Sequence, residues 1–276
     1  MSARLRTLQA RFLPHGPLDV VRQVLLFMGA FQLYRFTRGF VNDPSSATAA
    51  FQHARDLIGI ERTLHIFVEP TVQTFAAGQT WLLDGTSWMY VNAQTSITLG
   101  ALAWLYLCRN ESFYFVRNMF LIAFGIALIG YSVFPTAPPR FFPEWGFFDA
   151  VSDFTGVPQD SVTVNALFNP YAAVPSMHVA FASMIGIPIA RLVRWRALKV
   201  FWTCYPLLIA FVIVATANHF IADAVLGACA AGIGAFAARM LARTRPAVWQ
   251  FQPSKTFRPP VPAPVIAVPA NATAAP

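Results

Sequence analysis

The sequence predicts an all-α membrane protein: a polytopic bundle of six transmembrane helices, with an outer interfacial helix and a long extracytoplasmic loop. Three observations predict it. Of 276 residues, 56% are hydrophobic and only 12% charged, against a charged share of about 25% in soluble domains. Apolar runs near the roughly 20 residues that a bilayer requires recur along the chain. Placing both termini in the cytoplasm puts most basic residues inside, as the positive-inside rule expects.

The elements follow in order. Residues 1–19 form a basic cytoplasmic N-terminus carrying Arg4, Arg6 and Arg11. Val20 to Phe36 is the first expected span, with Arg22 and Arg35 near its ends, where they can snorkel. It lacks a small-residue cleavage site just downstream, so it reads as a retained helix rather than a signal peptide. Residues 41–87 are too charged to cross. Within them, Ala50 to Phe67 sets Phe51, Leu57, Ile58, Leu64 and Phe67 among His53, Arg55, Asp56, Glu61 and Arg62. That mixture suits an amphipathic helix at the outer interface, or equally an extracytoplasmic helix packed on the bundle.

Trp88 to Cys108 and Phe113 to Phe134 are the second and third expected spans. Pro135, Pro138 and Pro139 end the third by removing amide donors and fixing φ. Pro135 to Val174 is then a long outer loop whose aromatics, among them Phe141, Phe142, Trp145 and Phe147, suit the headgroup layer. Pro175 to Leu192, Val200 to Thr216 and His219 to Leu241 complete the six. Gly227, Ala231, Gly232 and Gly234 offer the last helix small surfaces for close packing. Residues 20–242 are thus the membrane catalytic domain, and 243–276 a disordered, proline-rich cytoplasmic tail.

The net charge of +8 is topological. In this arrangement the outer segments keep Arg35, Arg38, Arg55, Arg62 and Arg140, and the other fifteen of 20 basic residues fall inside. That placement excludes a nucleic-acid footprint. Cys108, Cys204 and Cys229 show no paired spacing and read as small buried apolar residues. No Cys or carboxylate cluster has ligand spacing, so no metal is expected.

Two short segments carry the chemistry: Val174-Pro175-Ser176-Met177-His178, and Asn218-His219-Phe220-Ile221-Ala222-Asp223. Ionisable groups at membrane depth cost roughly 2.5–3.5 kcal/mol each on insertion scales, so they are functional candidates by default. His219 and Asp223 are one helical turn apart, within hydrogen-bonding reach. A carboxylate that holds one imidazole nitrogen leaves the other free as base or nucleophile. The expected topology brings Arg140, Ser176, His178, His219 and Asp223 from three segments to one membrane depth.

Pro175 can open a helix without losing a needed donor, which would leave the amides of Ser176, Met177 and His178 as an anion site. The Ser176 hydroxyl and the Arg140 fork would complete a phosphate cradle. Phosphoryl transfer through a phosphohistidine follows: His219 attacks, Asp223 fixes its tautomer, and His178 protonates the leaving oxygen. Blander readings stand beside these. Ser176 could be only a helix cap, Arg140 an interfacial anchor, His53 and His65 surface histidines, and Arg117 a snorkelling residue at the inner end. Other function classes are an intramembrane serine protease using Ser176 and His219, and a non-catalytic lipid or anion transporter.

These residues resemble the type 2 phosphatidic acid phosphatase superfamily, and within it the inositolphosphotransferase branch of fungal inositol phosphorylceramide synthase. The stretches that carry the resemblance are Phe134 to Arg140, Asn169 to His178, and His219 to Asp223; more diffusely it runs from Gln23 to Ala238. It implies six membrane helices, no metal or cofactor, and a phosphohistidine mechanism, with His219 as nucleophile, Asp223 as its partner and His178 as acid. Phosphatase members carry a Lys where this chain has Val133, an Arg where it has Ile213, and a Gly where it has Met177. The inositolphosphotransferase branch lacks the same features. Tyr171, Asn169, Tyr90 or Asn92 could supply compensating donors. The implied substrate is a lipid phosphate ester, with water or a polyol as acceptor and membrane lipids as surroundings. The implied setting is a bacterial-type plasma membrane, with the active site facing outward.

Overall fold

A computed structural model describes residues 13, 15–38, 44–158 and 170–246. Its helices in chain order are α1 (Pro17–Arg38), α2 (Pro44–Thr63), α3 (Glu69–Ala77), α4 (Thr80–Asn92), α5 (Thr98–Cys108), α6 (Asn110–Val133), α7 (Ala150–Thr155), α8 (Met177–Leu192), α9 (Arg196–Ala215) and α10 (Ile221–Thr244). A π turn, Ala93–Ile97, joins α4 to α5, and two 3-10 turns, Pro139–Phe141 and Pro143–Trp145, follow α6. The fold is all-α, as expected, but the expected count of six crossing helices is wrong. Among the described residues only α6, α9 and α10 are long and apolar enough to cross a membrane.

Each shortfall has a local cause. The expected second span falls across α4 and α5, α-helices of 13 and 11 residues with the π turn between them. The 16 residues of α8 reach only about 24 Å at 1.5 Å per residue, short of a hydrocarbon core of roughly 30 Å. Helix α1 has the length but carries Asp19, Arg22, Arg35 and Arg38. The three apolar helices make the chain an integral membrane protein. Val225, Leu226, Ile233, Phe236 and Met240 lie exposed along α10.

Helices α6, α8, α9 and α10 form the central bundle, with α8 packed against the other three. Chain direction alternates along it: Gly130 near the end of α6 lies against Pro175 ahead of α8, while Gly234 late in α10 lies against Met119 early in α6. Met184, Ile185, Ile213, Phe120 and Leu105 fill the interior. Gly234 packs closely there and Ala231 is buried, but Gly232 faces open space. All three cysteines are exposed, contrary to the buried role expected of them.

A second apolar cluster sits over the site end of the bundle. Ala50, Ala54, Leu57 and Ile58 of α2 meet Phe142, Phe147, Val174, Ala217 and Phe220 there, with Phe51, Phe141, Trp145 and Tyr171 around them. So α2 is packed on the bundle, and these loop aromatics pack on it and on one another. Arg62 lies over the Phe67 and Trp145 rings, 5.2 and 5.1 Å from their centroids. His53 is not the surface histidine expected: its Nδ1 lies 2.8 Å from the Pro135 carbonyl and its ring stacks on Phe134. His65, by contrast, is exposed.

Arg117 does not snorkel. It is fully buried, donating to Gln23 Oε1 at 2.9 Å and to Asn118 Oδ1 at 2.8 Å. Asp19 closes this polar knot by accepting from the hydroxyls of Tyr106 and Tyr114 and from Gln23. Burying a guanidinium without such partners would cost several kcal/mol.

Candidate active site

The end of α9 aims the principal histidine. Asn218 N donates to Ile213 O at 3.0 Å and Ala217 N to Val214 O at 2.9 Å, the paired bonds of a Schellman motif. Such a motif needs a left-handed residue, and Ala217 supplies it at φ 52° where glycine is usual. The chain therefore reverses sharply and presents Asn218 and His219 beside the start of α10. Ile213, fully buried in the core, supplies the carbonyl that this turn folds back onto.

Helix α10 begins with an N-terminus saturated by carboxylates. Asp223 Oδ2 accepts from Phe220 N at 3.0 Å and lies 3.2 Å from His219 Nδ1. This is half of a capping box, since Phe220 has no side-chain acceptor to return. Ile221 N donates to Glu69 Oε1 at 2.9 Å and Ala222 N to Glu61 Oε1 at 2.8 Å. A helix start normally leaves four amides to find partners; here three residues on three helices fill three of those places.

The second segment abuts the first. Ser176 occupies the N-cap position of α8 without a side-chain capping bond, so Pro175 stands ahead of the helix rather than within it. Ser176 N donates to the Asp223 carbonyl at 3.0 Å, which removes it from the expected set of free amides. Tyr131 donates to the Pro175 carbonyl at 3.2 Å. Gly227 admits this contact: a Cβ there would lie 2.2 Å from Ser176 O. His178, in the first turn of α8, faces His219 with 5.5 Å between ring centroids, and its other neighbour is Tyr90, stacked at 4.5 Å and 22°. Tyr90 lies just before the π turn, an irregularity frequent at functional sites.

Arg140 comes from the proline-rich turn after α6. Its amide donates to Ala217 O at 2.9 Å, its Nη1 donates to Asn218 Oδ1, and its Nε stands 3.6 Å from Asp149 Oδ2. Phe141 underlies the guanidinium at 4.9 Å. The arginine is held on three sides before any ligand arrives.

Arg140, Ser176, His178, His219 and Asp223 are thus gathered at one end of the bundle. Met177 is close in sequence but its side chain is buried in the core, and Tyr171 packs on Phe51 and Phe141. Asn169 lies outside the described residues. Asn92 donates to Trp88 O within its own helix. Of the positions where a cation is missing, Val133 is exposed and Ile213 is core. Sequence reasoning did not assign Asn218, Asp149, Glu61 or Glu69 a role. Asn218 could have been found from its place beside His219; the glutamates carry no pattern that marks them.

Five buried polar atoms of this region make no hydrogen bond among the described residues: Ser176 Oγ, Asp223 Oδ1, Glu61 Oε2, Glu69 Oε2 and Arg140 Nε, the last of them 3.6 Å from Asp149 Oδ2. Buried polar groups are normally satisfied, so this concentration marks a place for a polar ligand. No group of three His, Cys, Asp or Glu side chains among the described residues is placed to hold a metal ion. The model of the PAP2 superfamily matches residues 55–237. No curated protein and no solved structure matches the chain.

Proposed function

Because the chain belongs to the PAP2 superfamily, a group of lipid-phosphate hydrolases and transferases, we propose that it moves a phosphoryl group from a lipid phosphate ester through a phosphohistidine at His219. One observation carries this reading. The His219–Asp223 pair faces His178 at 5.5 Å, beside an arginine and an unpartnered serine hydroxyl.

The steps assign one bond change to each residue. Arg140 and Ser176 hold the non-bridging phosphate oxygens, with the guanidinium stabilising the charge that spreads over them. Asp223 accepts from His219 Nδ1, which leaves Nε2 with its lone pair for phosphorus. As the P–N bond forms, the P–O bond to the lipid alcohol breaks and the His178 proton passes to that oxygen. In the second half, His178 takes the proton of water or a polyol hydroxyl. The new P–O bond forms as the P–N bond breaks.

Transfer rather than hydrolysis is the finer reading, and an inositolphosphotransferase-like activity its most specific form. It is supported by the absence of cations at Val133 and Ile213 and by Met177, which distinguish the chain from phosphatase members. The clustering of Arg191, Arg194, Arg196, Lys199, Arg239 and Arg243 on the opposite ends of the same helices supports a site facing outward. A protease reading loses its basis, since Ser176 Oγ bonds to neither histidine.

The test is turnover of phosphatidic acid and phosphatidylinositol in detergent micelles, with and without added polyol. His219→Ala should abolish product formation and the acid-labile phosphoenzyme trapped by rapid quench. Wild-type turnover by His219→Ala on these lipids would refute the proposal, and product partition between water and polyol separates hydrolysis from transfer.

A further inference from the structure

Glu61 and Glu69 are fully buried, reach the same helix from two different ones, and take no part in the steps above. Each spends Oε1 on a backbone amide of α10, Glu69 on Ile221 at 2.9 Å and Glu61 on Ala222 at 2.8 Å. Their buried Oε2 atoms make no hydrogen bond among the described residues, and the two carboxyls are close enough that Glu69 helps to raise the Glu61 carboxyl. A bond between two carboxyl oxygens would require a proton. The ionisable groups facing Glu61 are Glu69 from α3 and Asp223 from α10, both acidic.

We propose that Glu61 and Glu69 are positioning residues, a pair sharing one proton that clamps the first turn of α10 and thereby sets the bearing of His219 and Asp223 toward the phosphate. The geometry requires something of this kind. The first two amides of α10 would otherwise be a ready anion site, competing with Arg140 for the substrate and drawing it away from His219. With one proton between them, the glutamates satisfy both amides while adding a single negative charge. Two charged carboxylates in contact would repel each other, spread α2 from α3, and loosen the turn that precedes the nucleophile's partner. Burial first, and then the Glu69 contact, push the Glu61 carboxyl up to about 8. The shared proton is therefore retained at neutral pH.

This inference rests on His219 and Asp223 being the reacting pair, so His219→Ala is assayed in parallel: an active His219→Ala protein defeats that reading whatever the glutamates do. Glu61→Gln and Glu69→Gln keep an oxygen for the amide and place an NH₂ hydrogen where the shared proton lay. They are expected to hold kcat within about threefold, while Glu61→Ala and Glu69→Ala lose on the order of 30-fold in kcat with KM nearly unchanged, as misplacement of a reacting group predicts. The wild-type kcat profile should fall above about pH 8, and Glu61→Gln should lose that limb. Alanine variants with wild-type kcat, glutamine variants as damaged as the alanines, or an alkaline limb unchanged in Glu61→Gln would each overturn the proposal. Where an alanine variant does not fold, the glutamine variant and its pH profile still decide.

Discussion

Replacing Gly227 by alanine tests the join between the two halves of the site. The added Cβ would lie 2.2 Å from Ser176 O and 3.1 Å from Ser176 C. The obstacle is backbone, so no side chain can turn aside. Ordinary contact requires a separation roughly 1 Å larger, which the starts of α8 and α10 must supply by moving apart. A shift of that size stretches the Ser176 N to Asp223 O bond from 3.0 Å beyond hydrogen-bond range. It also widens the gap between His178, which rides on α8, and His219, which is tied to α10. Overpacking of this kind costs about 1–3 kcal/mol of stability, and a misplacement near 1 Å costs on the order of 100-fold in rate. Initial rates on lipid phosphate in micelles, with a thermal melt of the same detergent sample, read both quantities. Gly232→Ala is the control on the same helix, because nothing lies within 4 Å of its Cβ. It should keep full activity. A Gly227→Ala enzyme with kcat within about threefold of wild type would refute the claim that backbone contact sets the distance between the two histidines.

Two further outcomes follow from named contacts. Arg140→Lys keeps the charge but loses the fork that engages Asn218 while facing Asp149. One charged hydrogen bond is worth about 1.5–3 kcal/mol, so kcat/KM should fall roughly 10- to 100-fold, and an unchanged value would show that a point charge suffices. Glu61 makes stability depend on pH in a direction that can be worked out. Its folded carboxyl, raised from 4.5 to about 8, binds a proton that the unfolded chain has already released. Stability therefore declines as pH rises from about 4.5 to about 8 and levels off above that. Melting temperature against pH checks this, and Glu61→Gln should remove the slope; a rise with pH across that window would contradict it.

Much of the candidate site was legible because it is local. The spacing of His219 and Asp223 sets their contact through helix geometry alone, and the motif stretches around Arg140, Ser176 and His178 carry their own identity. Which helices cross, by contrast, depends on details that a running apolar average does not register. Trp88 to Cys108 reads as one span by composition, yet the π turn at Ala93–Ile97 divides it. Arg117 shows the same limit: near a helix end it looks like a snorkelling residue, and only its contact with Gln23, 94 positions away in sequence, keeps it inside.

What belongs to composition and periodicity, then, is the class of molecule and the residues proposed to react. Hydrophobic content and the i, i+4 pair are properties of short stretches of chain. What belongs to packing is the order of the site. Asn218 holds Arg140, the Ala217 turn aims His219, and Gly227 lets Ser176 touch Asp223. Glu61 and Glu69 reach α10 from 161 and 152 positions away. Those contacts join residues that are remote in sequence, and no local pattern encodes a distance that arises only once the helices have packed.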